Sequence, residues 1–235
     1  EAVQLLNYSV YFDLRGEPIP TNLNGIVHYL TEEGVIVKQD NGLYAITNMG
    51  AILFAKNLSD FSRLERKAVR VVQFEGNNRL NMLKEDVGNK GYAVGFDGLL
   101  KYIEALLPSQ EIIDGAIRKK ALAYPSIALR EAIANALIHQ DFSITGTGVV
   151  IEIFENRIEI TNPGIPLIDI ARIIDNPAKS RNEKLASLMR KLKMCEELGS
   201  GWDKMVISCE LQQLPAPSIT IYNENTINKD IATLL

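Results

Sequence analysis

Residues 130–141 read REAIANALIHQD, and this run constrains the fold more than any other part of the chain. Wound as a helix from about Ser126 to His139, it carries Ala132, Ile133, Ala134, Ala136, Leu137 and Ile138 almost all the way round, so it is predicted to be buried. Glu131, Asn135 and His139 nevertheless recur at i, i+4 and i+8 and make one polar stripe along it. A carboxylate without a partner is costly to bury, and Asn is a poor helix-interior residue. The stripe must therefore meet either other polar groups of the protein or a ligand. Both alternatives are open at this level.

The flanking sequence adds turns of small residues. Arg157 to Thr161 reads as a strand running into Asn162-Pro163-Gly164, where glycine lets a backbone approach a ligand closely. A strand over Val149–Phe154 precedes it, joined by the tight Glu155-Asn156 turn. Further on, a helix is expected at about 166–174 and another over Glu183–Glu197, with the basic stretch Lys179 to Arg181 between them. A Gly199-Ser200-Gly201 turn and a further helix follow, and amides exposed at a helix start suit phosphate. The helix from Glu183 buries Leu185, Leu188, Met189 and Leu192 at helical spacing, so Lys184, Arg190, Lys191 and Lys193 read first as its solvated face. Arg181 is the exception, because it precedes the helix in a loop. Trp202 reads as a core aromatic, with stacking on a base as the alternative.

Upstream, Thr21 is expected to cap a helix through Ile26 and Leu30 that stops near Gly34. Val35–Val37 and Leu43–Ile46 flank Asp40-Asn41-Gly42, a strong hairpin signal, and Asn48 is expected to cap a helix over Ala51–Lys56. This helix, hairpin and helix make a winged-helix-like unit over residues 1–66, suited to DNA contact or to packing. Lys67 to Phe74 alternates as a strand, Gly76 to Gly98 reads as a long Gly- and Asn-rich loop with some helix, and Asp97–Leu107 reads as an amphipathic helix. Glu111–Ala123 reads as a strand or hairpin, and Ser218–Tyr222 as a late strand. Strands and helices in this irregular order argue for an α/β sandwich over residues 67–235 rather than a doubly wound parallel sheet.

Charge and cysteine content narrow the function. Lys+Arg 25 against Asp+Glu 29 leaves a net charge of −4, so nucleic acid could be held only by a local patch. Two cysteines outside any CxxC spacing and two histidines argue against a zinc site or a disulfide framework and for a reduced, cytoplasmic setting. No apolar run approaches the ~18 residues of a membrane span. The start at Glu1 is read as that of a fragment from a longer protein.

Glu131-x-x-x-Asn135-Ala136-x-x-His139 resembles the N-box helix of the GHKL nucleotide-binding superfamily, Ile158–Gly164 its first glycine box, and Gly199-Ser200-Gly201 its second. More closely, ALREAIANALIHQDFSITGTGVVIEIFENRIEITNPG and SRNEKLASLMRKLKMCEELGSGWDKM, with LYAITNMGAILFAKNL near the start, resemble bacterial RecG-related proteins and transcriptional regulators. The likeness spans roughly residues 1–216. In that family a Schlafen-type AlbA domain usually precedes this region and a winged helix often follows it.

The resemblance implies a GHKL-like sandwich that binds ATP with Mg²⁺ and serves as a regulatory module of a DNA-linked protein. It makes Glu131 the general base that polarises water and Asn135 the holder of phosphate-bound Mg²⁺. Asn162 takes the place of the Asp that accepts from the adenine amino group, while Gly164, Gly199 and Gly201 give backbone access and Arg181 is a candidate for phosphate. Two positions depart from the pattern, Asn162 for Asp and Pro166 for the box's second Gly, so weak turnover or none is expected. The absence of GxxxxGK[ST] excludes a P-loop helicase motor from this sequence. DNA is expected to be met through flanking domains, with a homo-oligomer as a further expectation. The alternative is a non-enzymatic DNA-binding or protein-interaction module in which the nucleotide site is degenerate.

Overall fold

The computed structural model describes residues 2–107, 109–114, 117–122, 124–167, 179–196, 201–222 and 229–234. Its centre is a six-stranded sheet built from β3 (Arg70–Phe74), β4 (Met82–Val87), β7 (Val150–Ile153), β8 (Ile158–Pro163), β9 (Ser218–Tyr222) and β10 (Lys229–Leu234). The strands lie in the order β4-β3-β7-β8-β10-β9; β3 and β7 run parallel and every other neighbouring pair is antiparallel. This is the mixed α/β sandwich expected from the sequence.

The period-two alternation of the strands sorts their side chains onto two faces. Val71, Ile151, Ile153, Ile158 and Ile160 are all buried in the main core, which also holds the apolar residues of α5 (Ser126–His139). α5 lies against β8, α7 (Gly201–Leu211) and α4 (Tyr92–Leu106). The opposite face carries a small cluster of Val72, Phe74 and Phe154, with Phe74 stacked on Phe154 at 5.2 Å. Around it Arg79 bridges Glu152 and Glu159 at 2.6 and 2.5 Å, and Arg157 reaches Glu159 at 2.6 Å. These ion pairs tie the 75–81 loop to the β7–β8 hairpin.

The N-terminal unit contains α1 (Ser9–Arg15), α2 (Leu23–Glu32), the hairpin β1 (Ile36–Lys38) and β2 (Tyr44–Ile46), and α3 (Asn48–Phe54). The helix, hairpin and helix order is the one expected, and Gly34 and Gly42 take the positive φ values of a helix stop and a hairpin turn. Both caps are shifted by one residue. Asn22, not Thr21, accepts from the Gly25 amide, and Thr47, not Asn48, accepts from the Gly50 amide. Thr47 gains a further advantage: its hydroxyl also donates to the Gly34 carbonyl at 2.7 Å, fastening α3 to the hairpin. Leu6, Phe12, Leu30 and Phe54 of this unit share one continuous core with Phe96, Ile133, Leu137 and Ile151.

Other differences have physical causes. Within Gly76–Gly98 the structure has β4 and the first two turns of α4, which begins at Tyr92 rather than Asp97. All six β4 residues are exposed, so no alternation marked it, and Gly95 and Gly98 disguised the helix. Glu65–Lys67 is a 3₁₀ turn, and the strand expected from Lys67 starts at Arg70. α6 (Glu183–Lys191) ends before Lys193, whose φ of 57° terminates it short of the expected Glu197. The hairpin β5 (Ser109–Asp114) and β6 (Ile117–Leu122) and the strand β9 stand where expected, whereas β10 was not foreseen. Of the helix expected at 166–174, residues 168–174 lie outside the described residues.

Candidate functional site

The polar stripe of α5 is real but uneven. Glu131 is 3% exposed, whereas Asn135 and His139 are half-buried. Glu131 Oε1 accepts from the Glu196 amide at 3.0 Å, and a Cβ built on Gly201 would come within 2.7 Å of Glu131 Oε2. Its carboxylate thus reaches across to the backbone that follows α6 and to the first residue of α7. Burial raises its pKa, against the lowering effect of the Glu196 amide. Burial lowers the pKa of His139, and Arg181 lowers it further.

Asn162 lies on β8, opposite Asp230 of β10. Alternation along β8 puts it on the same face as Ile158 and Ile160, the face that carries α5. It is 5% exposed, and its Nδ2 finds no acceptor among the described residues. A buried amide donor left unpaired costs about 1–3 kcal/mol, which a ligand acceptor would relieve.

Immediately after β8, Gly164 adopts φ +129°, a conformation that favours glycine. A Cβ there would also lie 2.8 Å from Arg181 Nη1 and 3.1 Å from Asp141 Cβ. Arg181 donates to Asp141 Oδ2 at 2.8 Å and to the Ile165 carbonyl. The guanidinium therefore straps the turn to the segment after α5, and the close approach that glycine permits here is that of Arg181. Gly201 likewise makes room for Glu131. Gly199 lies outside the described residues.

Several participants were missed in the sequence. Asp141 Oδ1 accepts from the Ser143 amide at 2.9 Å and the Ser143 hydroxyl at 2.6 Å, so its pKa is lowered, first by Ser143 and also by Arg181 and Lys67. Lys67, 2% exposed, donates to the Ile144 carbonyl at 2.7 Å and the Asp141 carbonyl at 3.4 Å, and its ammonium sits 5.6 Å from the Phe142 ring centroid. Asn182 Nδ2 donates to the Ile138 and Gln140 carbonyls at 2.7 and 2.8 Å, satisfying the end of α5. Asp-x-Ser at 141–143 is a turn signature that could have flagged the loop; Lys67, placed inside an expected strand, gave no such sign. Asp141, Phe142, Ser143, Gly164, Ile165 and Arg181 are among the residues lining an open cavity of about 750 Å³.

The remaining candidates separate cleanly. Leu185, Leu188, Met189 and Leu192 are buried, Lys184, Lys191 and Lys193 are exposed, and Lys191 pairs with Glu33 at 2.9 Å, so α6 presents a solvated basic face. Trp202 is half-buried against the core. Among the described residues no group of three or more His, Cys, Asp or Glu side chains could hold a metal, and no helix is long and apolar enough to cross a membrane.

Residues 146–227 match the family described as "Putative ATP-dependent DNA helicase recG C-terminal". The match takes in β7, β8, α6, α7 and β9 and agrees with the RecG-related, GHKL-like resemblance drawn from the sequence; α5, with its stripe, precedes it. The DIP2311 protein from Corynebacterium diphtheriae has a similar fold, with a TM-score of 0.78 at 20% identity. The superposition covers 100% of this chain and 46% of that one, so the chain spans about half of that relative's length. No curated protein matches the chain.

Proposed function

We propose that this chain is an ATP-binding regulatory module of a bacterial DNA-linked protein, acting in the cytoplasm. The nucleotide would lie between the stripe of α5, the Asn162–Gly164 end of β8 and the cavity beyond it. The observation that carries this reading is the buried amide of Asn162 on the α5 face of the sheet, which has no acceptor among the described residues and lies two residues before Gly164 of the cavity lining. A base offering an acceptor would satisfy it. The amide oxygen of Asn135 is a hard donor of the kind Mg²⁺ accepts, so this half-buried residue would hold the phosphate-bound ion. When bound, Mg²⁺ would neutralise phosphate charge.

Within this reading Arg181 shapes the cavity by its bonds to Asp141 and Ile165, and Lys67 fixes the 141–144 loop from beneath. The family of the matched segment supports nucleotide use. The winged-helix-like unit of residues 1–66 and the sandwich of 67–235 act together, while duplex DNA is engaged by flanking domains. Calorimetry with Mg-ATP tests the proposal. Saturable binding that requires Mg²⁺ and is lost in Asn135→Ala, with unfolding temperature preserved, is the expected result; no binding at millimolar nucleotide would refute it.

A further inference from the structure

We infer that Glu131 is a positioning residue: its buried carboxylate clasps the backbone between α6 and α7 to α5, and it is not free to activate water. The inference deepens the nucleotide reading, on which its affinity arm rests, but its geometry stands independently. One carboxylate oxygen holds the Glu196 amide and the other stands against the start of α7. Oε1 takes the Glu196 amide at 3.0 Å, and Oε2 fills the space that a side chain at position 201 would need. With 3% of the residue exposed, little of the carboxylate faces solvent.

Two features of the α7 start fit the clasp. A Cβ at Gly201, where α7 opens, would stand 2.7 Å from Oε2 and push the carboxylate aside. A carboxylate at the start of an eleven-residue helix is also favoured by the helix dipole, which offsets part of the cost of its burial. Glu196 continues the link on its other side, since its own carboxylate pairs with Lys204 of α7. Glu131 thereby connects α5, the end of α6 and the start of α7, and its removal would loosen all three at one point.

Hydrogen exchange of the Glu196 amide reads the clasp directly. In Glu131→Ala that amide should exchange at least about tenfold faster than in the wild-type chain, as expected for loss of a hydrogen bond to a charged acceptor. Gly201→Ala, which drives a methyl group against Oε2, should speed the same amide; Glu131→Gln, which keeps an acceptor, should leave it within about twofold. Affinity for a fluorescent ATP analogue should follow the same order, falling in the two alanine variants and holding in Glu131→Gln.

Equal Glu196 exchange in the wild-type chain and Glu131→Ala would overturn the clasp. A Glu131→Gln variant that loses ATP turnover while its nucleotide affinity and Glu196 exchange stay unchanged would leave the clasp but overturn the claim that Glu131 does not activate water, because that pattern belongs to a general base. A wild-type chain that binds no nucleotide would sink the nucleotide reading alone, and the exchange contrasts would still decide the clasp.

Discussion

Gly164→Ala should destabilise this chain, and its cost has two separable parts. The first is backbone strain: φ +129° is a conformation that L side chains rarely adopt, which costs about 1–3 kcal/mol. The second is collision, since the new Cβ would stand 2.8 Å from Arg181 Nη1 and would displace the Arg181–Asp141 pair. With the two side chains 19% and 31% exposed, that pair is worth at most about 1 kcal/mol. Together they give about 1–4 kcal/mol, or a fall of about 2–16 °C in unfolding temperature for a chain of this size. Thermal unfolding followed by circular dichroism measures it. The same substitution made in an Arg181→Ala background should cost about 1 kcal/mol less, because the guanidinium is no longer there to be struck. A Gly164→Ala variant within about 0.5 kcal/mol of wild type, or full additivity with Arg181→Ala, would refute the packing described for this turn.

Lys67→Met should cost about 1–3 kcal/mol by leaving the Ile144 carbonyl without its donor. It should also change the pH dependence: burial holds the Lys67 pKa below 10.5, so just below that pH the unfolded chain binds more protons and wild-type stability rises with pH, a rise the variant should lack in denaturant titrations. His139 has the matching sign at lower pH. Its pKa is held below 6.5, so its contribution to stability should fall as pH drops below that value, and His139→Gln should flatten this part of the curve. Thr47→Ala should cost about 1–2 kcal/mol in urea unfolding, since the hydroxyl caps α3 and also bonds the Gly34 carbonyl. Duplex DNA should bind this chain weakly, given its net charge of −4 and the pairing of Lys191 with Glu33; tight, salt-sensitive binding lost on neutralising Lys184, Arg190 and Lys191 would contradict this.

Where one periodicity ruled, the sequence was legible. α5 announced itself because alanine, leucine and isoleucine wrapped it while Glu131, Asn135 and His139 kept a four-residue spacing; the Asp40-Asn41-Gly42 turn followed from the φ values it must supply. β4 was hidden because an edge strand exposed on all six residues needs no apolar alternation. At the candidate site the sequence marked which residues would lie near one another but not what each would touch. Gly164 and Gly201 read in the sequence as openings for a ligand, yet in the structure each lies against one of the chain's own side chains, Arg181 and Glu131, from 17 residues after the one and 70 before the other. Lys67 and Asp141, separated by 74 residues, meet only through the tertiary fold. Nothing local in the KAVRVVQF run distinguishes a lysine buried under a loop from one at a strand end.

Isothermal calorimetry of the chain with ATP, with and without Mg²⁺, tests most directly whether α5 and the end of β8 hold a nucleotide. Saturable, Mg²⁺-dependent binding is expected, abolished by Asn135→Ala and weakened when Asn162, whose amide has no acceptor among the described residues, is replaced by Leu. Heats indistinguishable from dilution up to millimolar ATP, from a chain that unfolds cooperatively, would contradict it.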